Sequence, residues 1–247
     1  VEPNLSLLNA VLKVCARAGD TRATDRWVAN IREVYGMAPD LVSYNTLISV
    51  HADVGDVASA EVTLDRVWRA SLRPDARSYT PLIRACARMK RTEEAETWLT
   101  RMLDDRVAAD TIAFNAALHA SVQAESLAQL WRVYDMMEAN GVAPDAATYT
   151  TLALLYARCG DTERAEDIIY KSELEGNPKG QREYDILLSA YGNSWPRDGK
   201  RAERVFRDMI AAGVSPSQHS LKFLRMAVGR EGASELAHEF SIPWQEP

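Results

Sequence analysis

The segment Leu41-Val42-Ser43-Tyr44-Asn45-Thr46-Leu47-Ile48, closed later by Leu72-Arg73-Pro74-Asp75, decides the fold of this chain. The first stretch places apolar residues on one face at helical spacing, which predicts an amphipathic helix. Gly55-Asp56 interrupts this helix, and a second apolar-periodic stretch follows. Proline does not continue a helix and aspartate readily caps the next one, so the closing residues end the second helix. Residues 41–75 are therefore predicted to form one helical hairpin.

The hairpin recurs with a period of 35 residues. Three columns share that period: an aromatic one, an acidic one that closes each unit, and a small one. They contain Tyr44, Tyr79, Phe114, Tyr149 and Tyr184; Asp40, Asp75, Asp110 and Asp145; and Ala60, Ala95 and Ala165, with Leu130 in the missing step and Ala202 after a two-residue insertion. The columns predict units at 5–40, 41–75, 76–110, 111–145, 146–180 and 181–217, and a terminal unit over 218–247.

A single hairpin of this kind does not bury its own apolar face, so neighbouring hairpins must stack. The predicted fold class is all-α, a right-handed α-solenoid of stacked 35-residue helix-turn-helix repeats forming one array over residues 1–247. The aromatic and small columns then belong to the packing between helices rather than to a functional site.

The bulk composition excludes several classes of protein. A hydrophobic content of 47% with 26% charged residues is that of a folded chain, and a net charge of −6 argues against indiscriminate attachment to nucleic acid or membrane. The sequence has no P-loop, no GxGxxG and no CxxC pair, and its four histidines lack partners at metal-ligand spacing. We expect no catalytic residue, cofactor or metal, and we expect Cys15, Cys86 and Cys159 to be reduced core thiols.

Two stretches carry a family resemblance. Val42-Ser43-Tyr44-Asn45-Thr46-Leu47-Ile48 with Arg73-Pro74-Asp75, and Ala147-Thr148-Tyr149-Thr150-Thr151-Leu152, resemble pentatricopeptide repeats. The 35-residue period fits that family better than the 34 residues of tetratricopeptide repeats. The resemblance covers almost the whole chain, and it implies binding of single-stranded RNA with about one base per repeat.

The resemblance also implies which residues recognise bases, namely the fifth and the last residue of each unit. The pairs are Asn9 with Asp40, Asn45 with Asp75, Thr80 with Asp110, and Asn115 with Asp145. Under the family's code, Asn with Asp prefers U and Thr with Asp prefers G, which gives about 5′-UUGU-3′. Asparagine offers a donor and an acceptor to a pyrimidine edge, whereas the shorter threonine leaves room for a purine. Thr150 holds the same fifth position, but its pairing with Gly180 and that of Asp185 with Ser217 fall outside the code.

Two further columns follow from the resemblance. The second residue of each unit sandwiches the base; Val42 and Ile112 match, whereas Ser6, Arg77, Ala147 and Arg182 depart from the family pattern. A basic residue late in the first helix contacts phosphate; Arg17, Arg88 and Arg158 match, whereas Asp53, Gln123 and Asn193 depart. These departures favour partial RNA recognition or an array used partly for protein contacts.

The distribution of charge gives a test that does not depend on the family. The seven predicted first helices together carry a net charge of +7, although the whole chain carries −6. The rest of the chain is therefore acidic, including the Glu93, Glu94 and Glu96 cluster. A basic layer on an acidic chain is what binding of a polyanion requires, although lysine and arginine are also good helix formers on solvated faces.

The sequence leaves two hypotheses of different classes, beside a third possibility that the chain is one fragment of a longer enzyme. The first is a non-catalytic protein that binds single-stranded RNA in a mitochondrion or plastid and supports RNA stability, processing or translation. The second is an architectural, protein-binding subunit of a large organellar ribonucleoprotein or other assembly. Trp195, in a lengthened turn, is a candidate anchor for such a protein partner.

Overall fold

The computed structural model describes residues 4–242, and within them the chain forms thirteen helices. Each of the first twelve is 13 residues long. Their bounds are α1 Leu5–Arg17, α2 Thr21–Glu33, α3 Leu41–Asp53, α4 Val57–Arg69, α5 Ala76–Arg88, α6 Thr92–Asp104, α7 Thr111–Gln123, α8 Leu127–Ala139, α9 Ala146–Arg158, α10 Thr162–Leu174, α11 Gln181–Asn193, α12 Gly199–Ala211 and α13 Gln218–Glu239. The helices that open the hairpins start at the first residues of the predicted units, and the all-α repeat solenoid is confirmed.

The chain divides into two compact units, with the boundary between Ala143 and Pro144. The first unit holds α1 to α8, in which the first helices pack in series, α1 against α3, α3 against α5, and α5 against α7. The second unit holds α9 to α13, with α11 packed against both α9 and α13. The interpretation of residues 1–247 as one array stays a prediction, and residues 243–247 of its terminal unit lie outside the described part of the chain.

The closing aspartates start the first helices. Asp40, Asp75, Asp110 and Asp145 are the N-cap residues of α3, α5, α7 and α9, and each side chain accepts a hydrogen bond from a backbone N–H of the first turn. Such a cap satisfies a donor that has no partner within the helix, and it stabilises the helix by about 1 kcal/mol. The 35-residue acidic column therefore has a structural role at every unit boundary that it marks.

The predicted packing columns lie in the core. Tyr79, Phe114, Tyr149 and Tyr184 are buried, as are all five members of the small column. Tyr44 is half-buried and packs against the cluster formed by α1, α2 and α3. The tyrosine hydroxyls reach the ends of second helices: Tyr79 donates to Asp105, and Tyr149 donates to Glu175 over 2.7 Å. The interpretation of these columns as packing is confirmed.

The terminal helix α13 is interrupted at Gly229. Gly229 has φ 83° and ψ 178°, which lies outside the helical region and breaks α13 into two segments. A positive φ with extended ψ is open almost only to glycine, so this residue supplies the turn that Gly19-Asp20 and Gly160-Asp161 supply in other units. The seventh repeat therefore consists of two helical segments within its described residues.

The cysteines do not all behave as predicted. Cys86 is buried, and this burial raises the pKa of its thiol to about 11. Cys15 is half-buried, whereas Cys159 is exposed. The expectation of a core thiol is wrong for Cys159, because this residue is the C-cap of α9 and lies beyond the apolar face of the helix. Among the described residues, none of the helices combines the length and hydrophobicity that a bilayer span requires.

Candidate nucleic-acid interface

A groove of about 550 Å³ opens on the first compact unit, which ends at Ala143. It is lined by residues from the first helices of successive hairpins. The lining comes from α1, α3 and α5 with the N-cap of α5, and none of it from α2 or α4. Four lining side chains are basic and two are acidic: Lys13, Arg17, Arg77 and Arg84, with Asp53 and Asp75. One of these cations is paired, since Arg84 Nη2 lies 3.3 Å from Asp53 Oδ1. The groove therefore presents a net positive surface on an acidic chain.

The fifth and the last residue of a repeat contact each other in two repeats; Asn45 and Asp75 line the groove, whereas Asn9 is buried. Asn9 Nδ2 lies 3.1 Å from both carboxylate oxygens of Asp40. The next unit repeats the contact, because Asn45 Nδ2 donates to Asp75 Oδ1 over 2.9 Å. The members of each pair are about one unit apart in sequence, and only the stacking of neighbouring hairpins brings them together.

A third residue completes each of these contacts. The Ser43 hydroxyl lies 2.6 Å from Asn9 Oδ1, and the Ser78 hydroxyl lies 2.7 Å from Asn45 Oδ1. Both serines are third residues of the following unit, and both are fully buried. The same hydroxyls also lie 3.0 Å and 3.3 Å from the carboxylates of Asp40 and Asp75. Each asparagine amide is therefore held at both its oxygen and its nitrogen.

The electrostatics of Asp40 follow from these contacts. Burial opposes ionisation of the carboxyl, but hydrogen bonds from the Ser43 backbone, the Asn9 amide and the Ser43 hydroxyl outweigh it. The pKa of Asp40 consequently lies below its ordinary value of 3.8. The carboxylate is charged at neutral pH and accepts hydrogen bonds, which is the state that orients the amide of Asn9.

The lowered pKa of Asp40 predicts a pH-dependent contribution to stability. A carboxyl whose folded pKa is depressed stabilises the protein above its unfolded pKa, and this contribution is lost as pH falls through the folded pKa. At pH 7 we expect Asp40→Ala to lower the free energy of unfolding by about 1–2 kcal/mol, the range for a lost N-cap. Below pH 3.8 the difference from the wild type should shrink. Urea unfolding followed by circular dichroism at both pH values measures it.

Asp20→Ala is the matched control for the cap alone, because Asp20 caps α2 through the Ala23 N–H at 2.8 Å. At pH 7 the loss in Asp40→Ala should exceed the loss in this control, since Asp40 also binds Asn9. Equal losses, or a difference that persists at low pH, would contradict the role assigned to the Asp40 carboxylate.

Other fifth positions show different contacts. Thr80 lines the groove, and Asp110 caps α7 through the Ala113 N–H at 2.9 Å. Thr150 is buried, with its hydroxyl 2.5 Å from the Ala146 carbonyl oxygen and 3.0 Å from Glu183 Oε1. Asn115 lies on α7 and Asp145 caps α9. Base recognition by these residues stays a prediction.

In the sixth repeat the polarity of the contact is reversed. The fifth residue is the acid, and the hydroxyls of two serines surround it. Ser220 donates to Asp185 Oδ1 over 2.5 Å, and Ser217 lies 3.4 Å from Asp185 Oδ2. The same three-residue arrangement therefore recurs in the second compact unit, but its fifth residue carries a carboxylate instead of an amide.

Comparison with known proteins agrees with this architecture. A family model described as the pentacotripeptide-repeat region of PRORP matches residues 83–238, and a second, described as pentatricopeptide repeat-containing protein, matches residues 6–137. The chain belongs to the pentatricopeptide repeat family. A pentatricopeptide repeat-containing protein of Arabidopsis thaliana is 28% identical over 72% of this chain and 32% of that protein. Another from the same plant, described as chloroplastic, is 31% identical over 62% of this chain and 20% of that protein.

Solved structures of the family share the fold. The maize pentatricopeptide repeat protein PPR10 superposes with a TM-score of 0.72 at 22% identity, covering 97% of this chain and 34% of that one. PPR10 in complex with an 18-nt psaJ RNA element gives a TM-score of 0.58 at 21% identity, covering 98% of this chain and 39% of that one. The chain thus spans about a third of the length of these proteins.

The second residues of the first six pentatricopeptide repeats share one structural property. All of them are exposed at the start of a first helix: Ser6, Val42, Arg77, Ile112, Ala147 and Arg182. Val42 and Ile112 leave 41% and 64% of their surface accessible, which is high for aliphatic residues of a folded chain. This exposure suits the sandwiching role that the resemblance implies, and that role stays a prediction.

The arginines assigned to phosphate differ in their surroundings. Arg17 lines the groove. Arg88 Nη2 instead lies 2.8 Å and 2.6 Å from the carbonyl oxygens of Ala52 and Asp53, at the C-terminus of α3. The guanidinium has five N–H donors, so this contact does not exhaust them. Arg158 ends α9 and is exposed.

The sequence interpretation missed two features of this interface. It did not assign the third residue of a repeat to the amide of the preceding repeat. The available signal was that serine follows Asn9 and Asn45, at Ser43 and Ser78, whereas alanine follows Thr80, at Ala113. It also considered Arg88 and Asn193 only for contact with phosphate, where Arg88 matches the family pattern and Asn193 departs from it. Both residues bind carbonyl oxygens of the preceding first helix, since Asn193 Nδ2 donates to the Ala157 carbonyl over 3.1 Å.

Proposed function

We propose that this chain binds single-stranded RNA along the groove lined by its first helices and recognises bases through its fifth and last residues. The observation that carries the proposal is the pair of asparagine–aspartate contacts one repeat apart, Asn9 with Asp40 and Asn45 with Asp75, the second of which lines a cationic groove. A row of oriented amides offers one donor–acceptor edge per repeat, while flanking cations attract the phosphates. The RNA complex of PPR10 supports an RNA ligand for a fold of this kind.

The proposed core sequence is about 5′-UUGU-3′. Its first two bases rest on Asn–Asp pairs whose members hydrogen-bond in the structure. The third rests on Thr80 and Asp110, and the fourth, assigned to Asn115 with Asp145, on the sequence pattern alone. Val42 and Ile112 sandwich bases in this proposal, and Arg17, Arg88 and Arg158 contact phosphates.

The experiment is a titration of a short unstructured RNA carrying UUGU once, followed by fluorescence anisotropy. We expect Asn45→Ala combined with Asn115→Ala to weaken binding by about thirtyfold or more, because each of the two lost base contacts costs about 1–3 kcal/mol. The matched control is an RNA in which the two cognate uracils are replaced by adenine. The double variant should bind both RNAs almost equally, whereas the wild type should prefer UUGU.

Binding that is absent in the wild type, or unchanged by the two substitutions, would exclude base readout by these residues. Asn140→Ala is a suitable control variant, because Asn140 is exposed at the end of α8 and its amide donates only locally, to the Met136 carbonyl over 2.7 Å. Its affinity for UUGU should match that of the wild type.

We further propose that the chain is a non-catalytic part of a mitochondrial or plastid protein, with no cofactor or metal. Support for the compartment comes from the chloroplastic relative. RNA stabilisation, processing or translation support would then follow from occupancy of the RNA itself, by exclusion of nucleases or of competing base pairing.

A second candidate is an architectural role in which the chain binds protein. Trp195 favours it, because 94% of this large aromatic side chain is exposed in the loop between α11 and α12. Exposed tryptophans are frequent anchors of protein interfaces. A wild-type chain that lacks affinity for UUGU but loses a protein partner on Trp195→Ala would favour this alternative over the first.

A further inference from the structure

We infer that the third residue of a repeat is a specificity-determining residue for the base recognised by the preceding repeat where the fifth residue of that preceding repeat is asparagine. Ser43 and Ser78 act in this way on Asn9 and Asn45, and they select uracil over cytosine by holding the asparagine amide in one orientation. This inference rests on the proposed function, and it adds a third side chain to each recognition unit.

The geometry fixes which end of the amide faces which partner. The oxygen of Asn45 accepts from the Ser78 hydroxyl over 2.7 Å, and its nitrogen donates to Asp75 over 2.9 Å. A flipped amide would bring the oxygen against the Asp75 carboxylate, where two acceptors repel each other. It would also lose the bond donated by the Ser78 hydroxyl, whose oxygen already accepts from the Asp75 backbone N–H over 3.2 Å. Ser78 is fully buried, so water does not replace that bond.

The orientation of the amide matters because uracil and cytosine carry a hydrogen-bond donor and an acceptor in opposite order along the Watson–Crick edge. Uracil presents N3–H as a donor beside the O4 acceptor, whereas cytosine presents N3 as an acceptor beside the N4 donor. An asparagine amide also presents one donor and one acceptor, so one orientation matches uracil and the flipped orientation matches cytosine. A residue that locks the amide therefore decides between the two bases without touching either.

The repeats of this chain provide an internal comparison. Where the fifth residue is Asn9 or Asn45, the next third residue is a buried serine. Where the fifth residue is Thr80, the next third residue is Ala113, which is also fully buried but has no hydroxyl. Threonine has no amide to orient, so the serine has no function there. The hydroxyl is therefore absent beside Thr80, whereas Ser220 beside Asp185 donates to a carboxylate instead of an amide.

The test compares U with C at one base of the UUGU RNA at a time. We expect Ser78→Ala to lower the preference for U over C at the second base by about twofold to tenfold, the range for one lost neutral hydrogen bond. The preference at the first base, opposite Asn9, should not change. Ser43→Ala should give the reverse pattern, and Ser78→Thr, which keeps the hydroxyl, should retain the preference.

A purely structural role of the serine would not give this result. Ser78 also accepts from the Asp75 backbone N–H over 3.2 Å, so Ser78→Ala weakens a helix cap and lowers affinity for every RNA. The ratio of U to C binding cancels that loss, because both RNAs bind the same folded fraction. Ala113→Ser beside the native Thr80 is the matched control, and it should leave the preference at the third base unchanged.

The reciprocal substitution gives an answer even where Ser78→Ala does not fold. Thr80→Asn should change the third base from G towards pyrimidine with weak choice between U and C, and adding Ala113→Ser should raise the preference for U by about twofold to tenfold. A wild type without preference for UUGU would contradict the proposed function and this inference together. A wild type that prefers UUGU, with U-to-C ratios that neither Ser78→Ala nor Ala113→Ser changes, would overturn this inference alone.

Discussion

Replacement of Tyr79 by alanine is expected to lower the free energy of unfolding by about 3–5 kcal/mol, the range for deletion of a fully buried aromatic side chain. Tyr79 is 0% exposed and lies on α5, which packs against α3, α6 and α7. Its ring fills the space between successive hairpins, and its hydroxyl donates to Asp105. Alanine would leave a cavity at this junction. Urea unfolding followed by circular dichroism gives the change as a shift of the midpoint.

Two further variants show how much of the lost stability comes from the Tyr79 hydroxyl and how much from burial of its ring. Tyr79→Phe keeps the ring and loses the hydrogen bond to Asp105, so it should cost about 1.5–3 kcal/mol, less than the alanine variant. Tyr170→Ala removes an aromatic side chain that is 61% exposed, and it should change stability by about 0.5 kcal/mol or less. If Tyr79→Ala were no more destabilising than Tyr170→Ala, the aromatic column would not be core packing.

The repeat made this architecture predictable from the sequence. An aromatic residue, a small residue and an aspartate each recur with one period, and each has a local physical reason: burial of a ring, close approach of two helices, and a helix cap. Because those reasons hold within a few residues, the pattern located the start of each first helix. The break at Gly229 was not foreseen, since it lies outside the regular period.

The site was predictable only in part. The positions of Asn9 and Asp40 came from the family resemblance, because nothing local links two residues about one repeat apart. Ser43 was missed for a related reason: beside Asp40 it has the features of an ordinary capping box, which it does form. Its second contact, with Asn9, depends on the stacking of one hairpin on the next, and this distance between helices is a tertiary property.

Reversal of three groove cations should cause a large loss of RNA affinity. Lys13, Arg17 and Arg77 line the groove of the first unit and are exposed. We expect Lys13→Glu, Arg17→Glu and Arg77→Glu together to weaken binding of the UUGU RNA by about a hundredfold or more at low salt, and to reduce the slope of log affinity against log salt by about 2. Each phosphate contact on a single strand contributes about 0.7 to that slope. Anisotropy titrations across a salt series measure both quantities.

The matched control reverses three cations of the second helices. Arg26, Arg66 and Arg69 are exposed on α2 and α4, which contribute nothing to the groove lining. Their reversal changes the net charge by the same amount, so any difference between the two triple variants reports the position of the charge. If both variants weakened binding equally, the groove would not be the path of the RNA.

The groove cations should control the affinity for RNA, whereas the asparagine amides should control the choice of base. Phosphate contacts carry no sequence information, so the groove triple variant should retain the wild-type preference for U over C at the second base while its affinity falls. Ser78→Ala should do the opposite and change the preference more than the affinity for uracil. A groove variant that lost both affinity and preference in proportion would mean that Arg77, at the second position of its repeat, contacts the base as well as the phosphate, as a stacked guanidinium would.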